Sequence, residues 1–251
     1  MSIWPGRPEG HTAIKVCGLT TPQDIDLCCE LGVDFVGLVH YPDSPRHVSL
    51  SKAQLLARRA HEHSGATQVV VLLVDPAPQL LTQAIAVIAP DVVQLHGSEN
   101  AAQIASVKAQ HTCQIAKVVS VRSPDDVAGS AAFATAADWL LFDAKPPTTA
   151  DANAAVATPD TPSGKPLPGG NGAAFDWSLM AAVPPGTRYL LAGGLNPENV
   201  AAALAATGAP GVDVSSGVEA ARGVKDADKI TRFVQAVRAA NTAAGTTPQQ
   251  A

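Results

Sequence analysis

Two residues far apart in the chain carry the plainest chemistry. A thiol, Cys17, closes the apolar run Ile14-Lys15-Val16-Cys17, and a carboxylate, Asp143, closes Leu140-Leu141-Phe142. An ionised thiol can take a proton, and a carboxyl among apolar neighbours such as Leu141 is biased toward the protonated form that can give one. Alternate side chains of an extended run share a face, so Lys15 lies on the Cys17 face and offers a positive charge that favours the thiolate. A carboxylate at the end of an apolar strand is either partnered or working, because burying it unpaired is costly. Arg46, in the turn-rich stretch Tyr41-Pro42-Asp43-Ser44-Pro45-Arg46-His47, offers one guanidinium, and Gln94-Leu95-His96-Gly97 places an imidazole beside an amide on one face. Each of these residues taken singly also has a structural reading: a packing cysteine, a surface arginine, a core histidine.

Glycine-rich turns complete the set. Gly169-Gly170-Asn171-Gly172 precedes a helical pattern, Gly193-Gly194 follows the apolar run ending at Ala192, and Ser215-Ser216-Gly217 follows Asp213-Val214. Such turns expose backbone N–H groups, and beside helix N-termini they form anion sites of the kind that hold phosphate.

The elements that must position these residues can be read from the alternation of the chain. Apolar, β-rich runs recur at 14–17, 35–39, 68–74, 92–95, 115–119, 138–142, 188–192 and 211–214. Helical patterns lie between them and after the last, at 22–31, 51–63, 77–89, 99–110, 124–136, 175–182, 197–206 and 226–240. Strands alternating with helices imply a parallel sheet, and eight units at this length favour closure into a single (β/α)8 TIM barrel. Capping side chains at Thr21, Ser51, Ser98, Ser123 and Asn196 support the helix register. Residues 13–240 are expected to form the barrel, with flexible termini at 1–12 and 241–251. The Pro-, Ala- and Thr-rich stretch 145–168 has no usable periodicity and is expected to be a mobile insertion after the sixth strand. In such a barrel the strand C-termini make the active face, where Cys17, Arg46, His96, Asp143 and the glycine turns all fall.

Composition narrows the partners. A formal net charge of -5 with scattered basic residues gives no stripe for a nucleic acid, and no apolar run is long enough to span a membrane. No secretory signal is evident, so a cytoplasmic protein is expected. Cys17, Cys28, Cys29 and Cys113 lack metal-ligand spacing and read as free thiols. No long amphipathic or uncovered strand signal demands a partner chain, so a monomer is expected.

Together these motifs resemble the phosphoribosylanthranilate isomerase family of tryptophan biosynthesis, from Lys15-Val16-Cys17-Gly18 through Gly37 to Val48, Gln94 to Gly97, Asp143, Gly169 to Trp177 and Leu191 to Val200, to Gly211 to Glu219 and Gly223-Val224-Lys225-Asp226. The family has Thr where this chain has Asn171, and a shorter connection after the sixth strand. The resemblance implies an Amadori rearrangement of N-(5-phosphoribosyl)anthranilate to 1-(2-carboxyphenylamino)-1-deoxyribulose 5-phosphate, without cofactor or metal. It casts Asp143 as general acid and Cys17 as general base. Arg46 is expected at the anthranilate carboxylate, His96 and Asp213 in the substrate cleft, and Gly170, Gly172, Gly193, Gly194, Ser215 and Ser216 at the phosphate. Two other readings share the turns: a different sugar-phosphate barrel isomerase, and a non-catalytic phosphate-ligand-binding barrel.

Overall fold

The computed structural model of the chain describes residue 4 and residues 6–63, 66–144 and 176–245. Eight parallel strands close on themselves in sequence order: β1 (Ala13–Cys17), β2 (Phe35–Val39), β3 (Gln68–Leu73), β4 (Val92–Leu95), β5 (Gln114–Val121), β6 (Trp139–Ala144), β7 (Tyr189–Leu191) and β8 (Gly211–Val214). Their runs are apolar throughout because a parallel barrel strand is covered on both sides, by the interior and by the helices. Around the barrel lie α1 (Pro22–Glu30), α2 (Leu50–Glu62), α3 (Pro78–Ile88), α4 (Ala101–Gln110), α5 (Pro124–Gly129), α6 (Val200–Thr207) and α7 (Ala227–Gly245). A two-stranded antiparallel ribbon, β9 (Glu219–Ala221) with β10 (Val224–Lys225), stands on the β8 side.

Several helix boundaries differ from the sequence reading. Thr21 and Ser123 cap their helices as expected, but α2 is capped by Ser49 and α4 by Asn100, whose capping box with Gln103 begins the helix two residues late. The helix expected over 124–136 stops at Gly129 and continues only as a 3-10 turn, Ser130–Ala132. That stretch is too rich in small residues to present an apolar stripe. The helix expected over 175–182 is a 3-10 segment, Trp177–Ala182, followed by Pro184-Pro185. The insertion 145–168 lies outside the described residues.

Strand tilt offsets the register by one residue per strand, so inward side chains fall into layers drawn from alternate strands. Near the floor sit Phe35, Val92, Trp139 and Gly211. Above them come Lys15, Val70, Ala116 and Leu190, then Gly37, Gln94, Leu141 and Asp213, then Cys17, Leu72, Val118 and Ala192. Val39, His96, Asp143 and Ser215 form the rim. The floor layer is apolar, and Trp4 plugs it from below: its ring packs against Phe35 and Trp139 at centroid distances of 5.6 and 6.0 Å, and its indole N–H donates to the Pro210 carbonyl. Trp4 is therefore part of the barrel floor, in a segment the sequence reading treated as a flexible terminus.

Candidate active site

Ionisable groups gather at the opposite end. Cys17 is the last residue of β1, 5% exposed, packed with Val39 and Leu72. Lys15, two residues below, is completely buried, and its ammonium lies 2.8 Å from Asp213 Oδ1 on the neighbouring β8. Burial pulls the Lys15 ammonium down, but Asp213 and Cys17 outweigh it and hold Lys15 above its ordinary pKa. Burial pushes the Cys17 thiol up, Lys15 opposes that push and Asp213 adds to it, and the thiol stays above its ordinary value. Asp213 is likewise raised by burial against the pull of Lys15 and Lys225.

Gly37 makes this grouping sterically possible. A Cβ at that position would stand 3.0 Å from Cys17 Sγ and 3.2 Å from Lys15 Nζ, so any side chain would occupy the space the two share. The same layer holds Gln94, 1% exposed, whose side-chain oxygen has no hydrogen-bond partner among the described residues.

Across the mouth, Asp143 and His96 stand in the rim layer with Nε2 and Oδ2 3.8 Å apart. The β4 end that carries His96 is held from outside. Glu99 accepts from the backbone N–H groups of Asp75 and Gly97, and Lys117 donates to both Glu99 and the Gly97 carbonyl at 2.6 Å. Gly97 is needed there because a Cβ would collide with Asp75.

Arg46 is 5% exposed and engages Glu219 with both arms of a fork, Nε to Oε1 at 2.7 Å and Nη2 to Oε2 at 2.9 Å. Its aliphatic stem lies against Gly18, whose positive φ of 79° lets the chain turn there without a Cβ in the way. Lys225 reaches Glu219 from the ribbon at 2.9 Å and also donates to the Ser215 carbonyl, while the Ser215 hydroxyl donates to the Cys17 carbonyl. Burial pushes Glu219 up, but Arg46 and Lys225 more than offset it and hold the carboxyl below its ordinary range. Lys15, Arg46 and Lys225 against Asp213 and Glu219 leave one positive charge in excess on this side of the mouth, a field that suits an anionic ligand.

The loops after β7 and β8 meet at this rim. Gly193 and Gly194 both take positive φ, and a Cβ on Gly217 would run into the Leu195 carbonyl, so only glycine lets the two loops touch. No described residue accepts a hydrogen bond from the backbone N–H groups of Gly193, Gly194, Ser215 or Ser216. Gly170 and Gly172 lie outside the described residues. Among the described residues no group of three His, Cys, Asp or Glu side chains is placed to hold a metal, and no helix is long and apolar enough to cross a membrane.

The structure thus gathers Cys17, Asp213, Ser215 and Arg46 on one side of the mouth and His96 and Asp143 on the other. Sequence reasoning assigned no part to Glu219, Lys225, Gln94, Glu99 or Lys117. The first two stand inside motifs that were legible, and Gln94 had been placed on the His96 face.

Fold and site together define a (β/α)8-barrel protein whose ionisable groups and glycine turns are collected at the C-terminal ends of the strands. The model of the N-(5'-phosphoribosyl)anthranilate (PRA) isomerase family matches residues 14–236. The chain is 44% identical over 230 residues to the N-(5'-phosphoribosyl)anthranilate isomerase of Azorhizobium caulinodans, covering 92% of this chain and 93% of that one. Among solved structures it resembles the phosphoribosyl anthranilate isomerase of Thermotoga maritima, with 28% identity, a TM-score of 0.72, and coverage of 91% of this chain and 99% of that one. A second isomerase structure, with 27% identity, a TM-score of 0.71 and the same coverage, holds reduced 1-(o-carboxyphenylamino)-1-deoxyribulose 5-phosphate. The chain belongs to the PRA isomerase family.

Proposed function

We propose that the chain converts N-(5-phosphoribosyl)anthranilate to 1-(2-carboxyphenylamino)-1-deoxyribulose 5-phosphate in tryptophan biosynthesis, with Asp143 as general acid and Cys17 as general base. Asp143 protonates the ribose ring oxygen, the ring opens to a Schiff base, and Cys17 removes the C2 proton to give an enolamine that tautomerises to the ketone. The observation that carries this reading is the meeting of a thiol and a carboxyl from β1 and β6 at one barrel mouth, flanked by cations and by loops with open backbone donors. Gly193, Gly194, Ser215 and Ser216 hold the phosphate, with Gly170 and Gly172 contributing from earlier in the chain. His96 and Asp213 line the cleft. Arg46 takes the anthranilate carboxylate through the guanidinium nitrogen left over from its fork with Glu219.

One barrel supplies every group in this scheme, so the reading needs no second subunit, and the chain is expected to sediment as a monomer at micromolar concentration and to act in the cytoplasm. The Thermotoga maritima relative is described as dimeric. The test is incubation of the purified chain with N-(5-phosphoribosyl)anthranilate while anthranilate-type fluorescence is followed. Turnover with loss of fluorescence is expected. Binding without conversion would favour a phosphate-ligand-binding barrel, and conversion of a different sugar phosphate alone would favour another isomerase.

A further inference from the structure

A base and an acid that must act in opposite protonation states pose a population problem. With ordinary pKa values of about 8.5 for a thiol and 3.9 for an aspartic acid, only roughly one molecule in 10⁴ to 10⁵ would hold the thiol ionised and the carboxyl protonated at once, at any pH between the two. Each pH unit by which a neighbour lowers the thiol ionisation multiplies that fraction about tenfold. Burial of Cys17 works in the wrong direction, so a compensating cation is required close by.

Lys15 is that cation. It is 0% exposed, it lies one layer pair below Cys17 on the same strand face, and its nitrogen converges with the sulfur on the space left by Gly37, 3.2 and 3.0 Å respectively from the missing Cβ. Asp213 Oδ1, 2.8 Å away, fixes the ammonium's direction. We propose that Lys15 is the positioning residue for proton abstraction: steered by Asp213 and admitted by the bare backbone at Gly37, its ammonium offsets the burial of Cys17 and enlarges the thiolate fraction that removes the C2 proton. The inference rests on Cys17 being the base.

The balance is simple. The thiol proton leaves to solvent before substrate binds, and Lys15 keeps its own proton throughout. The C2 proton then passes to Sγ, the C2–H electron pair becomes the C1–C2 double bond, and the C1–N double-bond electrons return to nitrogen. The charged and titratable groups around Cys17 are Lys15 on β1, Asp213 on β8, Lys225 on β10, His96 and Asp143 across the rim, and Tyr41 in the loop after β2, whose hydroxyl donates to Asp43. Gly37 and Val39 of β2 and Leu72 of β3 bring no charge.

The test combines the pH profile of single-turnover rate with a thiolate titration by ultraviolet absorbance, taken as the difference from the Cys17→Ala variant. In Lys15→Met, the alkaline limb of the profile and the Cys17 titration should both move up by about 1 to 3 pH units, the separation an opposite charge at this range commands. The plateau should fall about 10- to 10³-fold by the same factor. In Asp213→Asn both should move to lower pH. A plateau that falls with limb and titration unmoved would overturn the inference, because a merely structural role predicts that result. If Lys15→Met does not fold, Lys15→Gln, which keeps a donor for Asp213 and loses the charge, decides: an unmoved limb and titration there is equally fatal. Should Cys17→Ala keep the full single-turnover rate, the base assignment itself falls, an outcome distinct from failure of the Lys15 role alone.

Discussion

The two ends of the barrel are built from the same eight strands to opposite purposes. At the floor, Trp4, Phe35 and Trp139 meet edge to face or tilted, with ring centroids 5.5 to 6.0 Å apart, and Arg188 stacks over Trp4. At the mouth, a few layers along the same strands, the inward positions hold Lys15, Asp213, Cys17, His96 and Asp143. The floor gains stability from buried aromatic area, whereas the mouth keeps charges that can be buried only because each has a partner. Stability and chemistry are thus separated along the barrel axis, and substitutions at the two ends should be separable too.

Asp143→Asn should lower turnover by ~10² to 10⁴, about 2.7 to 5.4 kcal/mol of barrier, the usual yield of a positioned proton-transfer group. Thermal unfolding of that variant should stay close to the parent. If instead unfolding shifted strongly while the folded fraction turned over normally, the carboxylate would be structural and the contrast between the ends would fail at its most important point.

Glu219→Ala probes a mouth residue that acts through its partners. Removing it strands Arg46 and Lys225, and loss of one member of a buried pair costs about 3 to 5 kcal/mol, measurable by urea unfolding at neutral pH. Because Arg46 and Lys225 hold the folded Glu219 below its ordinary pKa, its stabilisation is complete above the unfolded carboxyl value and fades as pH falls through the folded one. Parent and variant should therefore converge in acid, and a gap that persisted there would point to packing in place of charge.

Trp4→Ala sharpens the comparison from the other end. Truncating a buried tryptophan typically costs about 3 to 5 kcal/mol, and an aromatic plug at the floor should give the lower part of that range with turnover per folded molecule unchanged. A fall in rate without a fall in stability would mean that the floor communicates with the site. A smaller effect is expected at Gly217→Ala. The added methyl meets the Leu195 carbonyl and pushes apart the loops after β7 and β8, so substrate or phosphate affinity should weaken about tenfold, roughly 1.4 kcal/mol. Titration with inorganic phosphate reads this directly.

Much of this arrangement was legible in the chain because a barrel strand is a continuous apolar run and its catalytic end is the residue that breaks the run. Cys17, His96, Asp143 and Asp213 all stand at such breaks. What escaped has a common cause. The Arg46–Glu219 fork joins residues 173 positions apart, and no local pattern announces it. The Lys117–Glu99 brace likewise pairs side chains from different units. Trp4 stands among Pro5 and Gly6, a composition that reads as loose chain until the open floor it fills is known. The fifth helix is shorter than its pattern and Trp177–Ala182 is a 3-10 segment in place of an α-helix, because alanine-rich sequence permits a helix without requiring one.

The most direct test of the chemistry is the single-turnover rate of Cys17→Ala at saturating N-(5-phosphoribosyl)anthranilate, with affinity for a reduced product analogue measured on the same sample. The loops after β7 and β8 and Arg46, proposed to bind the substrate, are untouched by the change, so affinity should hold within about threefold while the rate drops by ~10² to 10⁴. A variant that binds the analogue and turns over at the parent rate would show that the thiol at the end of β1 is not the base.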